Sequence, residues 1–187
     1  GYVSKAHTRR WSYNFQQLLN WHHQFGEHDV EAMVGHEYYR TRNYVLSGSK
    51  SNIFSIYNSE LDAAIVDGSI GSYTTDYNTE GFFGRAQYNY SQKYFGSFSY
   101  RRDASSRFAK DHRWGNFWSI GGAWLISKES WFKAPWVDEL KIKASIGQQG
   151  NDNIGNWAYI DLYTLSKTSD TSMAASFARM GNKNITW

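Results

Sequence analysis

The chain contains no cysteine and a single proline among its 187 residues. The absence of cysteine excludes disulfide bonds and thiolate metal sites. Long apolar runs are also missing, and Ala123–Ile126 is typical of the longest. Because a membrane-spanning helix needs about 20 apolar residues, a helical membrane protein is excluded. A membrane β-barrel remains open, since its strands show only an alternation of apolar and polar residues.

An excess of charge of one sign is likewise absent, because the formal net charge is only +3. The densest basic cluster is interleaved with Asp103 and Asp111 and comprises Arg101, Arg102, Arg107, Lys110 and Arg113. Nucleic-acid binding is one interpretation of such a cluster, but a mixed-charge loop is the more common one. We therefore expect no nucleic-acid partner.

Alternation is the strongest positive feature of the sequence. From Trp11 to Phe25 almost every second residue is large and apolar, with Gln17 and His23 as exceptions. A period of two predicts one extended strand with an apolar and a polar face. Strands of soluble proteins usually end after about 5–6 residues, so this length favours a membrane barrel.

The same alternation continues along the chain. The predicted strands are residues 10–25, 29–40, 80–90, 94–102, 114–127 and 139–148. Polar segments at 41–79, 103–113 and 149–183 are predicted to be long loops, with Ile53–Tyr57 and Tyr159–Leu165 as candidate short strands. Shorter connections at 26–28, 91–93 and 128–138 separate them. In an up-and-down barrel this order gathers the short turns at one rim and the long loops at the other.

The charges agree with this arrangement. A cation on the lipid face near the bilayer midplane costs about 2–4 kcal/mol, so polar positions opposite the apolar series are predicted to face the lumen. These positions are Arg85, Gln87, Asn89, Arg101, Lys141 and Lys143. Tyr88, Tyr90 and Tyr94 flank a short turn, where an interfacial aromatic girdle is expected. A soluble β-sandwich with one buried face also alternates and stays open at this point.

Two neighbouring segments carry a specific resemblance. Residues 99–108 read Ser-Tyr-Arg-Arg-Asp-Ala-Ser-Ser-Arg-Phe, and residues 112–124 read His-Arg-Trp-Gly-Asn-Phe-Trp-Ser-Ile-Gly-Gly-Ala-Trp. Together they resemble the barrel signature of SusC/RagA-type TonB-linked outer-membrane transporters. The signature residues, to which the resemblance assigns a structural role, are Arg101, Arg102, Asp103, Ser105, Ser106, Arg107, Phe108, Trp114 and Gly115. The match continues through residues 126–130, 136–151, 153–157 and 182–187; Ala104, Trp118 and Leu125 depart from the usual pattern.

The resemblance implies an all-β fold, an antiparallel up-and-down transmembrane β-barrel segment with six long strands of about 22. It implies import of an oligosaccharide or peptide across the outer membrane of a Bacteroidota-like cell, with TonB and a SusD-like surface lipoprotein as partners. No enzymatic activity and no cofactor are implied. A plug domain and a TonB motif are not visible, so we expect a middle segment that would not insert into lipid alone.

Binding is the chemistry that the residues themselves favour. Sugars are held by aromatic faces together with planar polar side chains. Candidate substrate-binding residues in the predicted outer loops are Tyr73, Asp76, Tyr77, Asn151, Asn153, Trp157 and Tyr159. Loop packing is the competing interpretation for Trp157 and Tyr159.

Other site classes find little support in the sequence. His22 and His23 point to opposite faces of a strand and cannot share a metal ion, so no metal site is predicted. Two alternatives of other classes stay open from the residues alone. One is a secreted carbohydrate-binding β-sandwich, and the other is a glycoside hydrolase that uses loop carboxylates such as Asp76 and Glu80.

Overall fold

The computed structural model of the chain describes residues 1–169 and 172–187. In these ranges the regular structure consists of strands and three short 3-10 turns at Leu61–Ala63, Lys110–His112 and Ile126–Lys128. The strands are β1 (Tyr2–Phe25), β2 (His28–Ile53), β3 (Ala64–Tyr90), β4 (Tyr94–Ser105), β5 (Trp114–Leu125), β6 (Lys141–Gly147), β7 (Leu162–Ser169) and β8 (Ser172–Arg179). Within the described residues no helix has the length and apolarity needed to cross a membrane.

Strands β1 to β6 form one sheet in which each strand lies beside its neighbours in sequence. Strands β7 and β8 form a separate antiparallel hairpin. Tight turns join β1 to β2 and β3 to β4, as the sequence predicts. The all-β, antiparallel, up-and-down architecture is therefore confirmed, and the six strands form an open sheet rather than a closed barrel.

The strand register separates two chemically different faces. Phe98 of β4 pairs with Ala86 on one side and Ile120 on the other. Its neighbour Ser99 pairs with Arg85 and Ser119. Because directly opposed residues in an antiparallel pair lie on the same face, one face of β3–β6 is apolar and the other is polar.

The apolar face has no protein layer over it among the described residues. Phe98 is 49% exposed, Trp118 42% and Ile142 56%. A β-sandwich would bury these side chains against a second sheet. The sandwich alternative is therefore overturned for this chain.

Contacts divide the chain into two compact units. The first comprises residues 1–14 and 39–78, and the second comprises residues 15–38 and 79–187. In the first unit Val3, Ser49 and Ala64 are buried. In the second unit the buried residues among those described are Gly81, Ser105, Phe108, Leu125 and Ile126.

Several predicted boundaries are wrong. Most of the predicted 41–79 loop is strand, because β2 continues to Ile53 and β3 begins at Ala64. Ile53–Tyr57 is consequently the end of β2 followed by a turn, not a strand of its own. These extensions lack a continuous apolar series, and strand pairing through the backbone does not require one. The other strands differ from prediction by a few residues, apart from the earlier start of β1 at Tyr2.

The other two predicted loops also need correction. The 149–183 loop contains β7 and β8, so the candidate strand Tyr159–Leu165 is displaced to Leu162–Ser169; residues 170 and 171 of this loop lie outside the described residues. The 103–113 loop begins only after Ser105. The connection from β5 to β6, at residues 126–140, is longer than this loop, so the predicted strict alternation of short and long connections is wrong there.

Candidate functional site

The predicted lumen-facing side chains share the polar face of the second unit. Arg85, Gln87 and Asn89 lie at alternate positions of β3 and pair with Ser99, Ser97 and Phe95. The register then carries this face across β5 to Lys143 and Lys141 of β6. The predicted grouping is therefore observed, whereas its orientation toward a lumen stays a prediction.

Arg101 has three partners on this face. Its guanidinium donates two hydrogen bonds to the Asp103 carboxylate, at 3.1 and 3.0 Å, and lies 3.9 Å from Glu37. The same group sits 4.8 Å from the centre of the Phe83 ring, in a cation–π contact. The Arg101 charge is thus neutralised locally, and its position is fixed.

The signature residues meet at the loop end of the second unit. Ser105 is 1% exposed, and its hydroxyl donates a 2.8 Å hydrogen bond to the carboxylate of Asp152. Arg107 donates to the main-chain carbonyl of Asp152 at 3.1 Å and to the side-chain oxygen of Asn156 at 3.4 Å. These bonds join the 106–113 loop to the segment after β6.

Phe108 provides the apolar part of this junction. It is completely buried, and its ring centre lies 5.2 Å from that of Trp187. The indole N–H of Trp187 donates to the Arg113 carbonyl at 2.5 Å, and Arg113 donates to the Phe108 carbonyl at 3.2 Å. We call Ser105, Arg107, Phe108, Asp152 and Trp187 the loop core.

The remaining signature residues support the same end of the sheet. The Arg102 guanidinium lies 5.3 Å from the Trp114 ring centre. A Cβ atom at Gly115 would come within 2.7 Å of the Trp187 ring, so only glycine leaves room for that ring. Ser105, Arg107 and Phe108 therefore contact the segment after β6 or Trp187, whereas the structural role that the resemblance assigns to the whole signature stays a prediction.

The turn end of the second unit carries a continuous aromatic belt. Its rings lie 5.0–6.3 Å apart, centre to centre, between successive neighbours. The belt comprises Trp21, His23, Phe25, His28, Tyr90, Tyr94 and Trp124. Sequence reasoning identified only its tyrosines around the β3–β4 turn, because contacts between strands depend on register.

Glu129 anchors one end of the aromatic belt. It accepts hydrogen bonds from the Tyr94 hydroxyl at 2.5 Å and the Trp124 indole at 3.1 Å, and it lies 3.4 Å from the Lys93 ammonium. These donors hold the pKa of Glu129 below its ordinary value, and the hydrogen bond from Tyr94 has the largest effect. No sequence signal identified this residue, because it lies in an irregular connection.

The predicted substrate-binding residues form two groups rather than one. Tyr73, Asp76 and Tyr77 lie on β3 instead of in a loop. Arg42 donates to both Asp76 oxygens, at 2.8 and 2.6 Å, whereas Tyr77 packs edge-on against Tyr39. Since adjacent residues of a strand point to opposite faces, Asp76 and Tyr77 do not converge on one ligand.

The second group lies after β6. The Asn151 side chain accepts a 2.9 Å hydrogen bond from the main-chain N–H of Asn153, which closes a local turn. Trp157 adopts a φ of 64°, and its carbonyl accepts a 2.9 Å bond from Arg179. Trp157 is 45% exposed and available for contact, and Tyr159 lies two residues further along.

The carboxylates that could serve a hydrolase are bound to basic or hydroxyl partners. Asp76 pairs with Arg42, Glu80 with His36 at 2.8 Å, Asp103 with Arg101, and Asp152 with Ser105. His22 bonds Asp29 while His23 stacks between Trp21 and Phe25, so the two histidines do point apart. No group of three or more His, Asp or Glu side chains that could hold a metal occurs in the described part of the chain.

Comparison with characterised proteins adds a separate line of evidence. No protein-family model matches the chain. The chain is 35% identical over 124 residues to the TonB-dependent receptor SusC of Bacteroides thetaiotaomicron, covering 62% of this chain and 12% of SusC. It is 30% identical over 173 residues to the TonB-dependent receptor P3 of Formosa agariphila, covering 91% of this chain and 16% of that receptor.

Solved structures give the same result. The RagAB peptide importer in its closed-closed state matches with a TM-score of 0.90 at 27% identity, over 98% of this chain and 21% of the importer chain. The open-open state matches with a TM-score of 0.86 over the same shares. These relatives are receptors and importers, which is consistent with a role other than catalysis. This chain, which spans about a fifth or less of their length, is a β-barrel segment of a SusC/RagA-type TonB-dependent transporter.

Proposed function

We propose that the chain forms part of the barrel wall and outer loops of an importer that carries an oligosaccharide or a peptide across the outer membrane. The observation that carries this proposal is the division of strands β3–β6 into two faces. One is apolar and is not covered by any described residue, and the other is polar and bears Arg85, Arg101, Lys141 and Lys143. Lipid contact suits the first face, and a hydrated lumen suits the second.

The partners follow from the family. We propose that uptake is driven through TonB, by parts of the transporter outside this segment, and that a SusD-like surface lipoprotein covers the outer loops. The name of the RagAB peptide importer supports a peptide cargo. An oligosaccharide stays the other proposed cargo, as the resemblance of the sequence to SusC/RagA-type transporters implies. A Bacteroidota-like outer membrane is supported by the source of the SusC relative.

We propose that the predicted substrate-binding residues contribute to substrate contact in different ways. Tyr73 is 62% exposed and Trp157 45% exposed, so both offer ring surface to a ligand. Asn151, Asn153, Tyr77 and Tyr159 are assigned supporting contacts. Both Asp76 oxygens are already bonded to Arg42. We therefore propose that Asp76 positions the Arg42 guanidinium and does not itself touch the ligand.

Single-cysteine labelling tests the orientation of the wall. This segment has no cysteine of its own, and any cysteine elsewhere in the transporter is first replaced by serine, so each introduced thiol reports one position. Cysteine at Ala86 or Phe98 of the full transporter, in outer membranes, is expected to resist a charged water-soluble maleimide. Cysteine at Gln87 or Ser99, one residue along each strand, is expected to react. The opposite pattern, or equal reaction at all four, contradicts the proposal.

A further inference from the structure

A concave site occupies the polar face of β4, β5 and β6, next to the loop core. Its volume is about 580 Å³, within the range of about 300–1,000 Å³ typical of small-molecule sites. Two glycines of the lining permit close packing within it. A Cβ atom at Gly147 would come within 2.7 Å of the Ser119 Cβ, and one at Gly150 would overlap the Phe117 ring. A larger residue at either position would displace a neighbouring part of the lining, so the shape of the lining depends on both glycines.

Aromatic rings form one wall of the site. Phe117 and Trp187 line it, with ring centres 5.5 Å apart and planes at 71°. Trp187 is also held by Phe108 and by its bond to the Arg113 carbonyl. Because Phe108 and the Arg113 carbonyl hold the Trp187 ring, its contribution to the lining is preorganised.

Hydroxyl and amide groups form another part of the lining. The Ser99 and Ser119 hydroxyls lie 2.6 Å apart and belong to neighbouring strands. Ser145 stands on the same face through its pairing with Gly121. The main-chain N–H of Gln148 bonds the Trp118 carbonyl at 2.8 Å, so the backbone that presents the Gln148 and Gln149 amides is fixed. Within the described ranges, these two amides make no side-chain hydrogen bond and can serve a ligand.

The lining contains one positive and one negative side chain, and these two neutralise each other. Arg101 and Asp103 line the cavity and are bonded to each other by two hydrogen bonds. A charged peptide terminus or side chain would have to compete with that pair. The cavity thus favours a ligand with many neutral donors and acceptors and one apolar surface.

We propose that this cavity, which we call the wall subsite, binds a neutral saccharide unit of the transported molecule. A pyranose ring offers closely spaced hydroxyls to serine and glutamine groups, and its C–H face suits the rings of Phe117 and Trp187. An extended peptide would instead use free backbone groups, and β4 and β5, which carry Ser99, Phe117 and Ser119, are paired on both sides. The inference rests on the proposed import function and narrows its substrate class to a glycan.

Calorimetry on the full transporter tests the wall subsite. The probes are neutral linear hexasaccharides of glucose, xylose and galactose, together with neutral octapeptides of mixed sequence. Ser145→Phe fills the subsite, whereas Ala144→Phe adds the same ring to the opposite face of the same strand. We expect at least one hexasaccharide to bind, with affinity reduced about tenfold or more by Ser145→Phe and unchanged by Ala144→Phe. Gln149→Ala, which adds no bulk, is expected to weaken the same probe by a smaller factor.

The outcomes separate this inference from the proposed function. Hexasaccharide affinity that is unchanged in Ser145→Phe overturns the wall subsite, as does binding of octapeptides alone or of no probe. If Ser145→Phe disturbs the folded barrel while Gln149→Ala leaves affinity intact, the cavity holds another part of the transporter and the inference also fails. Labelling of the two faces, described above, decides the proposed function independently of any ligand.

Discussion

Ser105 and Asp152 lie 47 residues apart in sequence, yet the buried Ser105 hydroxyl donates a 2.8 Å hydrogen bond to the Asp152 carboxylate. Ser105→Ala removes a donor from a partly buried carboxylate, which costs about 1–3 kcal/mol. We expect faster proteolytic cleavage within 106–113 and 148–157 of the full transporter, measured by mass spectrometry. Ser130→Ala, at an exposed serine of the β5–β6 connection, is the control. Equal cleavage rates in both variants would refute a clamping role for this bond.

Phe108 is expected to dominate the stability of the loop core. It is completely buried, and Phe→Ala at such a site costs about 3–5 kcal/mol. Phe108→Ala should therefore abolish slow hydrogen exchange in both loops and leave exchange in the middle of β4 unchanged. Phe54→Ala removes the same ring from a position that is 94% exposed and should change nothing. Protection that survives Phe108→Ala would mean that polar contacts alone hold the loops.

The contacts of the loop core could not be predicted from the sequence, whereas the faces of the strands and the tight turns could. The faces of β3 to β6 follow from a period of two, and the turns at 26–27 and 91–93 are marked by polar residues between apolar strands. The pairing of Ser105 with Asp152 has no local signal, because only the fold brings the two loops together. The extensions of β2 and β3 were missed since residues such as Ser47, Ser49 and Asn78 pair through the backbone without an apolar pattern. Glu129 was missed because its partners Tyr94 and Trp124 belong to other strands.

A matched pair of charges tests the face assignment energetically. Ala86 and Gln87 are adjacent on β3, and their partners on β4 are Phe98 and Ser97. Ala86→Arg places a cation among apolar side chains and should destabilise the barrel by up to about 2–4 kcal/mol, depending on depth. Gln87→Arg should be tolerated. The fraction of heat-modifiable folded protein in outer membranes measures both, and equal yields would contradict the assignment.

Glu129 should make the turn end of the barrel sensitive to acid. Its pKa is lowered in the folded state by hydrogen bonds from Tyr94 and Trp124. The stabilisation is therefore complete above the ordinary value of 4.5 and is lost as pH falls through the lower folded-state pKa. Thermal unfolding of the full transporter, followed between pH 7 and values below 4.5, should show a smaller acid effect in Glu129→Gln. Glu139→Gln, at an exposed residue of the same connection, should behave like the parent protein.

Adding a glycine to one tight turn should raise the stability of the protein, and removing the glycine from the other should lower it. In the β3–β4 turn, Ser91 and Gln92 have φ values of 51° and 53°, and Lys93 N–H bonds the Tyr90 carbonyl at 2.9 Å. Positive φ at both central residues is the type I′ geometry, which favours glycine. Gln92→Gly should therefore stabilise the hairpin by about 1 kcal/mol. Gly26, in the β1–β2 turn, has a φ of 61° with nothing within 4 Å of an added Cβ, so Gly26→Ala should lose a similar amount from backbone conformation alone.

Denaturant titration of the refolded full transporter measures both changes. Gln92 also accepts a 3.3 Å hydrogen bond from Lys128, so Lys128→Ala reports that contribution separately. A loss of stability in Gln92→Gly larger than that in Lys128→Ala would show that the positive φ angles cost this turn nothing. Destabilisation by Gly26→Ala together with stabilisation by Gln92→Gly would show that backbone strain lies in the β3–β4 turn. Positive φ falls there on the non-glycine residues Ser91 and Gln92, whereas in the β1–β2 turn it falls on Gly26.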